Sequence, residues 1–137
     1  MKLDKKHESF LTMENLFFSE IIFKNPNHTD SMDLEIDLDA DVKVDQSSNV
    51  ITKIKLNIIS EKDDDFFISI TAVGKFKISE VDFVPNDVKQ KIVKNNTIAI
   101  LFPYIRSQVT LLTSQPNFKS FVFPVVNINS IFESEDD

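Results

Sequence analysis

The sequence predicts an α+β fold, with four antiparallel strands followed by a long helix on one face of the sheet. Two observations carry this expectation. Met32 to Asp45 alternates strictly, with Met32, Leu34, Ile36, Leu38, Ala40, Val42 and Val44 apolar and Asp33, Glu35, Asp37, Asp39, Asp41, Lys43 and Asp45 charged. That is the period of a strand with one buried and one wet face. Ile98, Phe102, Ile105, Val109 and Leu112 recur every three or four residues, which is the spacing of a helical stripe. Strands that precede a segregated helix place the helix on the inward face of the sheet.

Each element follows from local chemistry. Met1 to Phe10 is polar and charged and is expected to fray. Thr12 to Lys24 is rich in Phe and Ile. Read as a regular strand, it sets Phe17, Ile21 and Phe23 on one side and Leu16, Phe18 and Ile22 on the other. Such a strand needs two apolar partners, either within its own subunit or at a subunit edge or groove. Asn25-Pro26-Asn27 ends it with turn chemistry. After the alternating strand, Gln46-Ser47-Ser48-Asn49 reads as a hairpin loop.

Val50 to Glu61 returns with Val50, Ile54, Leu56 and Ile58 inward. Lys53 and Lys55 face outward, where they can lie across from the acidic row. Such pairs contribute a few tenths of a kcal/mol each, roughly, and help set register. Lys62 to Asp65 is a second turn. Phe66 to Ile78 is the fourth strand, with Phe66, Ile68, Ile70, Ala72, Phe76 and Ile78 inward. Gly74, the only glycine, signals a bulge or a close backbone approach. Pro85-Asn86-Asp87 starts a short helix through Lys94, which leads into the long one. Pro103 lacks a backbone donor and predicts a start or kink of the long helix there.

Leu101, Tyr104 and Leu111 widen the stripe of the long helix, and Arg106, Ser107 and Thr110 keep a narrow polar strip. A helix apolar around most of its girth is buried on several sides. In a chain of 137 residues, part of that burial is expected from another subunit. Ile98, Phe102, Ile105, Val109 and Leu112 are therefore the candidate interface of a homodimer or homotetramer.

Composition narrows the function classes. The length suits one domain with a modest core, read as 1–137 with a flexible arm at 1–10 and an acidic tail at 133–137. The formal net charge is -7 and Arg106 is the lone arginine, which argues against a nucleic-acid or phosphate-binding surface. Without cysteine there is no disulfide and no thiolate metal site. No apolar run approaches the length of a membrane span. The N-terminus lacks the apolar core of a signal peptide, so the cytoplasm is the expected location.

No catalytic constellation stands out, so no enzyme activity, cofactor or metal is expected. His7 and His28 are isolated. The carboxylates alternate along a strand, and none is marked out as sitting in the apolar pocket that would raise its pKa. One glycine cannot build a phosphate-cradling loop. What remains is apolar surface. Phe118, Phe121 and Phe123 follow the helix within six residues, and aromatic anchors bury large areas on few rotatable bonds. They either pack back on their own subunit or hold a bound chain.

A family resemblance runs through this part of the chain. Leu101-Phe102-Pro103-Tyr104, then Arg106, Phe118 and Pro124-Val125-Val126-Asn127-Ile128, resemble in order the motifs of the SecB family of protein-export chaperones. Val73 to Ile78 is similar to the family's glycine-x-phenylalanine-x-isoleucine strand end. The chain departs at Pro116, where the family favours glycine. It departs again at Pro124, one position early, and at Ile128, which replaces a phenylalanine. The resemblance covers roughly Leu11 to Phe132 and is weakest before Phe66.

The resemblance implies an ATP-independent chaperone that holds non-native or precursor polypeptides. It also implies subunits that join their sheets and then sandwich their long helices as a tetramer. Leu34, Ile36 and Leu38 fall on the strand that floors the family's client groove. Phe132 falls at the start of the C-terminal helix that walls it. This chain stops at Glu133 to Asp137, so that wall is expected to be short.

Glu20 keeps one of the outer-face carboxylates that in the family receive the zinc-binding tail of the motor SecA. Lys24 and Ser69 replace others, which puts that docking in doubt, and the acidic row Asp33 to Asp41 could substitute. Two alternatives stand beside the export role. One is a SecB-like chaperone dedicated to an antitoxin of a toxin-antitoxin pair. The other is an oligomeric domain that binds a small apolar ligand between sheet and helix.

Overall fold

The computed structural model describes residues 11–26, 33–62, 65–79 and 86–116. Four strands, β1 (Leu11–Lys24), β2 (Leu34–Val44), β3 (Asn49–Ser60) and β4 (Phe67–Ile78), precede one helix, α1 (Asn86–Thr113). The strands form one antiparallel sheet in the order β1-β4-β3-β2. Helix α1 lies over β4 and β3 and reaches β1. This is the α+β arrangement that the periodicities predict.

The β2–β3 hairpin shows how sequence sets register. Asp39 stands opposite Lys55 and Asp41 opposite Lys53, while Ile36 faces Ile58 and Leu38 faces Leu56. At the loop the Asp45 carboxylate accepts the backbone N–H of Ser47 at 2.8 Å and of Asn49 at 2.9 Å, and the Asn49 side-chain amide at 3.1 Å. These bonds, the Asn49 backbone bond first, hold Asp45 below its ordinary value of 3.8. Ser48 takes the left-handed conformation that the tight turn requires (φ 64°).

Strand β1 departs from a regular alternation. Its pairing with β4 shifts between Met13 and Asn15 and again between Phe18 and Glu20. Each bulge inserts one residue and reverses which face later side chains meet. Partners directly across an antiparallel pair share a face. Leu16 therefore lies with Gly74, Phe18 with Ala72, Ile21 with Ile70 and Phe23 with Ile68 on the inner face. Phe17 and Ile22 lie with Val73 and Ser69 on the outer face. The expected grouping of Ile21 and Phe23 with Phe17 is thereby corrected.

The core sits between the sheet and α1. Val50, Ile54, Leu56 and Ile58 of β3, Ile68, Ile70, Ala72 and Phe76 of β4, and Ile98, Leu101, Ile105 and Val109 of α1 are all buried. Burying each large aliphatic side chain stabilises the fold by about 1.5–3 kcal/mol. Gly74 is a point of close approach. A Cβ there would lie 2.7 Å from Phe76 Cε2 and 2.9 Å from Leu101 Cδ2. The bulges fall on β1, so the glycine serves helix packing.

Helix α1 is continuous from Asn86 to Thr113 and runs through both Lys94 and Pro103. The expected short first helix is corrected, and the long helix does not start at Pro103. Proline removes the N–H that would bond the carbonyl four residues earlier. That carbonyl belongs to Ala99, and both Ala99 and Pro103 are exposed, so water can satisfy it.

One polar link crosses the core. Thr52 Oγ1 of β3 donates to Thr97 Oγ1 of α1 at 2.8 Å, and Thr97 Oγ1 donates to the Lys94 carbonyl at 3.2 Å. Both threonines are fully buried. Thr97→Val strands the Thr52 hydroxyl and is expected to cost about 1–3 kcal/mol in denaturant unfolding. Thr52→Val leaves the Thr97–Lys94 bond intact and should cost less, and the double variant should recover part of the Thr97→Val loss. A double variant less stable than both singles would contradict this account.

Candidate functional site

Two surfaces of the sheet are candidates, and its twist and helix cover decide what each offers. On the inner face, burial falls across the β3–β2 pair. Leu56 and Ile58 are 0% exposed, whereas their partners Leu38 and Ile36, and Leu34 beside them, are only half-buried. Helix α1 covers β4 and β3, and the cover thins before β2, the edge strand. Leu34, Ile36, Leu38, Ala40 and Val42 thus form an apolar row that packs on the core from one side. Such a row can receive further apolar side chains without unfolding the sheet.

The helix stripe sits elsewhere than a subunit interface requires. Ile98, Phe102, Ile105 and Val109 are buried and Leu112 is half-buried against the chain's own core. The apolar residues that α1 leaves outward are Val88, Ile100, Tyr104 and Leu111, the last 64% exposed. Between them runs a strip whose hydroxyls are satisfied by their own helix. Ser107 donates to the Pro103 carbonyl and Thr110 to the Arg106 carbonyl, both at 3.0 Å. A second helix can cover such a strip without stranding polar groups. Arg106 is exposed beside it.

On the outer face, Ser19, Glu20, Asp39, Asp41, Lys53, Lys55 and Thr71 line a shallow hollow of about 320 Å3. Ser19 is the extra residue of the second β1 bulge. The bulge and the sheet order bring Glu20 of one edge strand and Asp39 and Asp41 of the other around two central lysines. Alternation along single strands does not reveal that meeting. Lys24 is exposed on this face, and Ser69 is 1% exposed. Ser69 Oγ and Asn57 Oδ1, from residues paired across β4 and β3, are buried without a hydrogen-bond partner. No spacing in the sequence marks that pair. On the same face, Lys75 Nζ lies 5.8 Å from the centre of the Phe17 ring.

Phe118, Phe121, Phe123 and Phe132, expected to contact clients, lie outside the described residues, as do His7 and His28. Among the described residues there is no group of three His, Cys, Asp or Glu side chains placed to hold a metal. No described helix is long and apolar enough to cross a membrane. The layer between sheet and α1 is filled at Gly74, where even a methyl group would collide. Among the described residues, the apolar row of β2, the outward side of α1 and the charged hollow of the outer face are the surfaces open to macromolecular contact.

Comparison with known proteins bears on these surfaces. Residues 4–137 match the SecB family, described as preprotein translocase subunit SecB. An uncharacterized protein of Methanocaldococcus jannaschii is 24% identical over 113 residues, which span 79% of this chain and 71% of that protein. The protein-export protein SecB of Anaplasma phagocytophilum is 24% identical over 86 residues, 63% of this chain and 54% of its own length.

Among solved structures, a SecB-like chaperone of Mycobacterium tuberculosis is similar in fold at a TM-score of 0.63 and 13% identity. The likeness covers 85% of this chain and 88% of that one. That chaperone was solved in complex with a ChAD peptide from the HigA1 antitoxin. A protein of unknown function from Streptococcus agalactiae is similar at a TM-score of 0.54 and 13% identity, covering 84% and 97%.

Proposed function

The chain belongs to the SecB family, and from that premise we propose that it is a chaperone that holds non-native polypeptides without ATP. The observation that carries this reading is the half-buried inner row of β2. Leu34, Ile36 and Leu38 lie at the sheet edge, where helix cover thins. A holding chaperone needs ordered apolar surface and no reaction centre. Phe118, Phe121, Phe123 and Phe132 extend the same role on sequence grounds. The reading calls for no enzymatic step and no cofactor.

Suppression of aggregation of a chemically denatured client, without nucleotide, tests the proposal. Replacing Ile36 and Leu38 by serine removes two apolar contacts, each at most about 1.5–3 kcal/mol when fully buried. Because both are only half-buried, client affinity should fall about tenfold while the folded state persists in a thermal melt. Unchanged holding by the folded variant would remove β2 from the client surface.

The outward apolar residues of α1 support a homo-oligomer, with Ile100, Tyr104 and Leu111 turned toward a second copy. A dimer or tetramer is expected by light scattering at micromolar concentration. A stable monomer would overturn this part of the proposal.

The duty of the chaperone admits two readings. Export is supported by the family and by the SecB relative. Service to an antitoxin is favoured by one observation, the antitoxin peptide bound to the structurally similar mycobacterial chaperone. The outer face bears on the choice, because Lys24 and Ser69 stand where the family has carboxylates that receive the SecA tail. Two charge-assisted contacts of roughly 1.5–3 kcal/mol each are missing. A SecA tail peptide should therefore bind at least about a hundredfold more weakly than to a family member that keeps those carboxylates. Calorimetry on both proteins side by side reads this out. Equal affinity would mean that Glu20, Asp39 and Asp41 have taken over the docking.

A further inference from the structure

The outer row of β4 is uncharged over four positions, Phe67, Ser69, Thr71 and Val73, and the last three are buried. Charge gathers on the strands beside it. Glu20 of β1 and Lys55 of β3 flank Thr71, and Phe17 and Lys53 flank Val73. Ile22 and Asn57 flank Ser69, and Lys24 and Ile59 flank Phe67. Glu20, Lys53 and Lys55 are exposed. Among the described residues none of the three is held in an ion pair, although Asp39 and Asp41 stand across from the two lysines. Asp41 pairs instead with Lys43 of its own strand, at 3.7 Å. Phe17 and Ile59 are exposed as well, on the face opposite α1.

Charge is thus divided by the line of β4, with an acid on the β1 side and two bases on the β3 side. A two-fold axis along β4 exchanges those sides. A second copy laid on the first about that axis sets Glu20 against Lys55 of the second copy, and the contact occurs twice. Phe17 meets Lys53 of the second copy, also twice, in the arrangement of a cation over a ring. Phe67, Thr71 and Val73 meet their own counterparts. Other two-fold axes in the same plane lack this fit. An axis across the strands at Thr71 sets Glu20 on Glu20 and Lys55 on Lys55. An axis along β3 sets each lysine on itself, and one between β3 and β4 sets Glu20 on Asp39. Lys75 is the next residue of the β4 row and leans off the axis toward β1, its Nζ 5.8 Å from the centre of the Phe17 ring.

We propose that the outer face of the sheet pairs with the same face of a second copy about a two-fold axis along β4. Packed sheets lie about 10 Å apart, a gap that a glutamate and a lysine together can span. The contact covers three strands over six residue steps, about 300 Å2 in projection. A stable interface needs roughly 800 Å2 per partner, so this association is weak and depends on its charges. It uses a different surface from the outward side of α1 and does not rest on the chaperone reading. Because it covers Glu20, Lys53 and Lys55, it competes with any other partner of the charged hollow.

Sedimentation velocity on the full chain, from micromolar to millimolar concentration, reads the association. At low salt the protein should grow beyond the assembly that it keeps at high salt, and the growth should vanish as salt rises. Lys55→Glu brings carboxylates together at two places and should weaken the salt-sensitive step about tenfold or more. Glu20→Lys should do the same with two pairs of lysines. Lys91→Glu, the same charge change on an exposed residue of α1, should leave the step unchanged.

Glu20→Lys combined with Lys55→Glu in one chain restores opposite charges across the axis and should restore the association. An equimolar mixture of the two single variants should also associate where neither does alone, and it carries the test if the double variant melts early. Recovery in either supports the axis. Absence of salt-sensitive growth in the parent protein overturns the inference. So does undiminished growth of Lys55→Glu, or failure of both the double variant and the mixture to recover. Assembly that persists at high salt reports on α1, and aggregation suppression reports on the chaperone reading, so each can fail without the others.

Discussion

The structure depends on how closely α1 can seat on the sheet. Gly74 gives β4 a gap in its inner face, and Leu101 of α1 and the ring of Phe76 close over it with no room for one more carbon. The Thr52–Thr97 hydrogen bond fixes the same layer along the helix axis. Packing sets how near the helix comes, and the polar pair sets where along β3 it stops. Neither threonine could be buried alone without cost, so the pair disfavours sliding by a helical turn.

That seating has consequences for every other surface. A helix centred on β4 and β3 buries their inner side chains fully and leaves β2 under thinner cover. Its buried stripe is consumed by its own sheet, so the helix must use the opposite side, around Ile100, Tyr104 and Leu111, for any further partner. Proline is tolerated at position 103 because it falls on that outward side, where its missing bond concerns an exposed carbonyl. The outer face is shaped independently, by the bulges of β1. One of them turns Glu20 toward a hollow shared with Asp39, Asp41, Lys53 and Lys55.

Much of this was legible from the sequence, and the limits have physical causes. Strands β2, β3 and β4 alternate cleanly, and the structure places Ile54, Leu56, Ile58, Ile68 and Ile70 inward as their period requires. The charge pattern placed Lys53 and Lys55 across from the acidic row, and the structure sets them opposite Asp41 and Asp39. Strand β1 misled because a bulge shifts phase by one residue, and a shift of one exchanges the faces. In a strand apolar on both sides, no polar residue reveals the change. The helix was read in two pieces because Pro103 and the polar stretch near Lys94 look like interruptions until the exposed side is known. The buried Asn57 Oδ1 and Ser69 Oγ were invisible, since burial on an outer sheet face depends on which side chains the neighbouring strands place beside it.

By itself the sequence determined the element order, the fold class and the family motifs. Each rests on periodicity or on neighbours close along the chain. Tertiary structure alone decided which side of α1 is spent on the sheet, where helix cover ends over β2, and which carboxylates meet across the outer face. Those outcomes depend on strand order, on bulge phase and on the separation of two packed layers. None of these is a local property, because each is set by contacts between residues far apart in the chain.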